Sequence, residues 1–171
     1  RNAADNDMDP VDLHVYSIEP DMVGIVTTRD GAAISEGEIA GLYLPSHDNF
    51  QDAQAFINAG GQRGLQEQVL LSGSWNLNPW FVRVEQVPMT QVPIGYAGVV
   101  ISFIGKAHMD ISGEDFKHGD LVNTAHKGVW AMPLYPCKHP PNTPSMNIEL
   151  VLTTTNVLIW PRSTPDHCLT D

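Results

Sequence analysis

Residues 92–105 read VPIGYAGVVISFIG, and residues 19–31 read EPDMVGIVTTRDG. In each, a proline (Pro20 or Pro93) precedes a short apolar run built around a glycine: Val23-Gly24-Ile25-Val26 in one, Ala97-Gly98-Val99-Val100 in the other. A second glycine, Gly31 or Gly105, follows seven residues after the first. β-Branched residues suit a pleated strand and a closing glycine suits a turn, so both stretches predict a strand that ends tightly. The agreement continues downstream. Gly64 is followed by Leu70, Gly73, Trp75 and Asn78, and Gly128 is followed at the same intervals by Leu134, Cys137, His139 and Asn142. The offset is 74 residues at the first landmarks and 64 at the second, so the first copy is ten residues longer between them. This predicts two related β-rich units, 18–88 and 89–160, between an acidic leader, 1–17, and a tail, 161–171. Gly24 should overlay Gly98, and Gly73 should overlay Cys137.

The extra length matches the one helical pattern. In residues 49–58 (NFQDAQAFIN), Phe50, Ala53, Phe56 and Ile57 share one helical face, Asp48 or Asn49 can cap the start, and Gly60-Gly61 can end it. That stripe predicts Phe50, Phe56 and Ile57 buried, with Asp52 and Gln54 exposed. Stretches 13–18, 23–28, 64–71, 80–87, 96–104, 129–134 and 147–159 read as strands. Residues 32–48 read as irregular. The fold class expected is α+β, mostly β, as two related β-rich modules with one short helix inserted in the first.

Composition narrows the function. The chain of 171 residues holds 20 acidic and 9 basic side chains, a formal net charge of −11. Such a surface repels phosphate backbones, which argues against nucleic acid as a partner, and it gives no bare electrostatic hold on anionic lipid. No apolar run approaches the roughly 18–20 residues of a membrane span. The sequence starts at Arg1, without a visible signal peptide, as expected of a processed protein or a fragment; any anchor would lie outside it.

Sequence signals for chemistry are sparse. There is no phosphate-binding glycine loop, no nucleophile elbow and no helical zinc motif. His47-Asp48, His108-x-Asp110 and His118-x-Asp120 each put an imidazole near a carboxylate, which can orient a base or a metal ligand. Cys137-x-His139 with His167-Cys168 has donors for tetrahedral zinc, but the spacing fits no structural zinc pattern. Two cysteines are too few for a disulfide scaffold; they can form one bridge, and a surface thiol plus a tail thiol is the expectation. Residues 112–120 read as a solvated helical turn. No catalytic residue, cofactor or metal site is expected. The candidate interaction surface comprises Trp75, Trp80, Val99, Ile101 and Phe103; exposed strand edges around 99–103 or 148–152 can recruit partners. Packing against the core is the plainer role for the tryptophans.

Residues 60–79 (GGQRGLQEQVLLSGSWNLNP), 92–105 and 128–142 (GVWAMPLYPCKHPPN) together resemble the flotillin and band 7 proteins, the SPFH superfamily. The second unit matches closely, with His139 and Asn142 at motif positions. It departs at Cys137, where the family has glycine, and at Thr143, where it has proline. The first unit departs at Ser72 but keeps Gly73, Asn78 and Pro79. The similarity extends over roughly 18–160 and is to large bacterial members with a duplicated opening segment. It implies a non-enzymatic scaffold domain, membrane-associated through an anchor outside this chain, that forms homo-oligomers and organises membrane proteins or membrane proteases. The family's coiled coil has no counterpart in the tail. Two other readings stay open on the residues alone: a soluble peptide- or glycan-binding β module using the Trp-rich turns, and a histidine-dependent metal hydrolase.

Overall fold

A computed structural model describes residues 15–45, 47–106 and 121–153. The expectations for the leader, for residues 112–120, for 154–159 and for the tail lie outside these. The chain divides into two compact units, Arg1–Pro88 and Met89–Asp171. It is mostly β, with one short helix in the first unit.

The first unit contains β1 (Tyr16–Ile18), β2 (Met22–Thr28), α1 (Ala53–Asn58), β3 (Gly64–Leu70), β4 (Gly73–Trp75) and β5 (Val82–Pro88). β2 is the central strand of a three-stranded antiparallel sheet in the order β3-β2-β5, and β1 pairs with β4. The second contains β6 (Thr90–Gln91), β7 (Tyr96–Ser102), β8 (Leu121–Val122), β9 (Gly128–Trp130), β10 (Lys138–His139) and β11 (Met146–Leu152). Its order is β11-β7-β9-β8, with β10 against β6.

The two units share one register. Met22 faces Pro88 and Thr28 faces Val82, just as Tyr96 faces Leu152 and Ser102 faces Met146. Gly24 faces Leu70, and Gly98 faces Leu134. Tyr16 faces Trp75, and Thr90 faces His139. Ile18 faces Gly73; Val92 and Cys137 exchange both backbone hydrogen bonds at the matching place, at 2.9 and 3.1 Å. Gly24 therefore corresponds to Gly98, and Gly73 to Cys137. The turns match as well: Phe81 N–H donates to Asn78 O, and Ser145 N–H to Asn142 O. Gly31 and Gly105 have φ of +127° and +114°, and a Cβ on either would drive into a facing backbone carbonyl, of Gly61 or Ala125. A position closed to every L side chain on two counts explains why both copies carry glycine there.

The difference in length has two parts. Gly41 bridges Gln66 in parallel, as Val122 bridges Trp130. From Gly41 to Gln62 is 21 residues, whereas from Val122 to His126 is 4, an excess of 17 in the first unit. From Ala32 to Gly41 is 9 residues and from Lys106 to Val122 is 16, an excess of 7 in the second. The net ten is the difference between a helix-bearing insertion in one copy and a longer connection in the other.

That insertion completes the first core. Phe50 and Phe56 pack with Ile18, Val26, Leu70, Phe81 and Val82, and the Phe56 and Phe81 rings meet edge-on at 5.4 Å. The helix is shorter than 49–58. Asp48, Asn49 and Phe50 have φ of 46°, 52° and 66°, a left-handed turn that cannot belong to a right-handed helix. The cap is Asp52, whose Oδ1 accepts from Ala55 N–H at 2.9 Å, not Asp48 or Asn49. Phe50 is thus buried by a turn and Phe56 by the helix, while Ile57, 37% exposed, faces out, contrary to the stripe. Asp52 and Gln54 are exposed. β5 begins at Val82 because residues 79–81 form a turn, and β9 stops at Trp130, leaving Leu134 as a single bridge.

Candidate functional site

Among the described residues, the histidines have structural roles. His47 is buried, its Nδ1 accepts from Phe50 N–H at 2.8 Å, and its ring lies 4.5 Å from Phe50 and 5.3 Å from Phe56. An acceptor Nδ1 fixes the tautomer with the proton on Nε2. His139 Nε2 lies 2.8 Å from Tyr135 O, the contact that Trp75 Nε1–H makes with Leu71 O at the matching site. His126 has Nδ1 at 3.4 Å from Thr124 O. His14, His108, His118 and His167 lie outside the described residues. Among the described residues, no three His, Cys, Asp or Glu side chains gather where they could hold a metal.

Cys137 is disulfide-bonded, not the surface thiol expected. Its backbone is held by the paired bonds to Val92, which fixes the half-buried side chain in a regular ladder. The sequence has one other cysteine, Cys168, outside the described residues.

The five candidate surface residues fall in separate units. In the first, Trp75 packs on the core with its indole N–H donating to Leu71 O, so its ring serves packing. Trp80 is 54% exposed in a turn whose Trp80 N–H donates to Asn78 Oδ1. One free indole is a poor platform for a peptide or glycan. In the second, Val99 and Ile101 are half-buried on one face of β7, opposite Glu149 and Asn147, and Phe103 beyond the strand is exposed.

A more apolar surface lies at the other end of β7. Tyr96 and Leu152 face each other across the ladder, so their side chains share a face. Leu150 stands on that face opposite Gly98, and Ile94 projects from the preceding turn. Ile94 is 94% exposed, and Leu150 and Leu152 are exposed too. This face continues the core: a Cβ at Gly98 would meet Ile148, Leu134 and Val92. The first unit has Pro20, Met22, Gln86 and Pro88 at the corresponding positions. There Gln86 Nε2 donates to Ser17 O and its Oε1 accepts from Glu19 N–H, closing the end with polar bonds. In the second unit Leu150 replaces Gln86 and Pro93, with no N–H, replaces Glu19. The edge at 148–152 was legible as apolar; Ile94 was missed, although aligning the two copies exposes the contrast.

No helix among the described residues is long and apolar enough to cross a membrane. Comparison with protein-family models, curated proteins and solved structures gives no match to this chain.

Proposed function

We propose that this chain is a non-enzymatic scaffold module of the SPFH type, and that its second unit carries the contact through which copies associate. The carrying observation is the apolar end formed by Ile94, Tyr96, Leu150 and Leu152 beside an edge strand, where the sister unit has Gln86 hydrogen-bonded to Ser17 and Glu19 in the place of Leu150. Covering one such side chain is worth roughly 1.5–3 kcal/mol, so a few suffice for weak pairing but not for a tight complex. An exposed strand edge adds backbone groups that a second strand can satisfy. The motif wording of 60–79, 92–105 and 128–142 supports the family assignment and, with it, association with membrane proteins through an anchor elsewhere in the protein.

Sedimentation over a concentration series tests this reading. The chain should shift from monomer to small oligomers as concentration rises, and Ile94→Ser with Leu152→Ser should hold it monomeric with its melting temperature preserved. Association unchanged in that double variant would place the contact elsewhere.

A further inference from the structure

We infer that β11 pairs antiparallel with β11 of a second copy of this chain, in the register that sets Leu150 against the partner's Leu150. The inference rests on the reading of this end as the association surface, and it names the contact.

β11 has β7 on one side and, among the described residues, no strand on the other. The direction of its backbone groups follows from the two ends of the ladder. Phe103 N–H donates to Ser145 O at 2.9 Å, and Thr153 N–H donates to Gly95 O at 2.8 Å. Hydrogen-bonded and non-hydrogen-bonded pairs alternate along an antiparallel ladder, so Asn147, Glu149 and Val151 also turn N–H and C=O toward β7. Met146, Ile148, Leu150 and Leu152 turn theirs to the open side.

The first unit has β5 at the corresponding edge, and there the edge is blocked. Arg29 N–H donates to Phe81 O, and alternation from that bond turns the backbone of Val84 and Pro88 outward. The Tyr16 hydroxyl donates to Val84 O at 3.2 Å, and Pro88, the counterpart of Leu152, has no N–H to offer. Proline on an edge strand prevents further pairing there. The second unit has Thr90 in place of Tyr16 and Leu152 in place of Pro88, so it lacks both devices.

Two-fold symmetry restricts how two such edges can meet, because residue i facing j requires j facing i. Full overlap of 146–152 sets Glu149 against Glu149, and like charges directly opposite are destabilising. A slip of two residues one way sets Leu152 against the partner's Pro144, which has no N–H. A slip of two the other way sets Leu150 on Leu150, Ile148 on Leu152, Glu149 on Val151 and Asn147 on Thr153. Leu150 with Leu150 and Ile148 with Leu152 are then the pairs that exchange hydrogen bonds. Apolar side chains meet apolar ones, amide meets hydroxyl, and no charge faces its like.

The test uses the whole chain. Residue-resolved amide hydrogen exchange should find Asn147, Glu149 and Val151 protected at every concentration. Ile148, Leu150 and Leu152 should exchange fast when dilute and slow at least tenfold as sedimentation shows association. Val151→Lys places a cation opposite the partner's Glu149 and should tighten association several-fold. Asn147→Lys makes the same charge change opposite Thr153 and should tighten it less. Association without protection of the Ile148, Leu150 and Leu152 amides overturns strand pairing and leaves the association reading standing. Equal tightening by both lysines, or more by Asn147→Lys, overturns this register. A chain that stays monomeric throughout overturns the association reading and this pairing with it.

Discussion

His47 shows how a single buried side chain can set a backbone. Its Nδ1 takes the Phe50 N–H inside the core, and the chain between them turns left-handed through Asp48, Asn49 and Phe50. Left-handed residues cost roughly 1–2 kcal/mol each, less for Asp and Asn, so Phe50 bears most of the strain. Burying its ring offsets this by about 1.5–3 kcal/mol. His47→Phe preserves the ring packing but leaves the Phe50 N–H without its acceptor, so unfolding free energy should fall by about 1–3 kcal/mol. An unchanged urea midpoint would show the hydrogen bond to be dispensable. Phe56 meets three aromatic neighbours, His47, Phe50 and Phe81. Phe56→Ala should cost about 3–5 kcal/mol through lost transfer energy and a cavity. Ile57→Ala, at an outward position, should stay within about 0.5 kcal/mol in the same titration.

At the scale of the element, α1 is a six-residue helix, too short to persist by propensity. Its first turn has no acidic side chain and its last no basic one, so the Asp52 cap and the Phe56 contact carry it. Asp52→Ala should lower stability by about 0.5–2 kcal/mol, read as a fall in melting temperature, while Asp48→Ala should leave the helix cap intact. The helical stripe in the sequence located the insertion and the buried phenylalanines but not the boundary. Phe50 and Phe56 are both apolar and buried, and spacing alone cannot tell a residue delivered by a left-handed turn from one delivered by a helix. The strands were far more legible. Gly24, Gly31, Gly98 and Gly105 are fixed by what surrounds the backbone, so their spacing records the register directly. The bulge in β3, opposite Ile25–Thr27 of β2, was not legible, because Gln66 there and Trp130 at the matching position share a role despite unlike chemistry: each side-chain N–H reaches back to a carbonyl four residues earlier, Gln62 O or His126 O.

For the molecule as a whole, duplication separates what the backbone requires from what each copy does with its surface. The paired ladders and turns are common to both units; the helix with its aromatic cluster belongs to the first, and the apolar end with Cys137 to the second. The surface difference escapes a reading of either copy alone, since Ile94 in a Pro-Ile-Gly turn looks unremarkable until Pro20 is set beside it. The first unit's buried cluster draws on β1, β2, the insertion, β3 and the start of β5, all within residues 1–88. Its principal core side chains therefore come from its own sequence. Domains of this size bury only about 60% of the surface of their unfolded chain and are marginal, so the aromatic cluster should decide the outcome. Residues 1–88 expressed alone should unfold in one cooperative thermal transition, with tertiary circular dichroism from the phenylalanine and tryptophan cluster. The same fragment carrying Phe56→Ala should lose that transition, because removing about 3–5 kcal/mol exhausts the stability of a small domain. A fragment 1–88 that stays unfolded under native conditions would mean that the first unit draws its stability from beyond its own residues, and the two copies would then have to be treated as one folding unit.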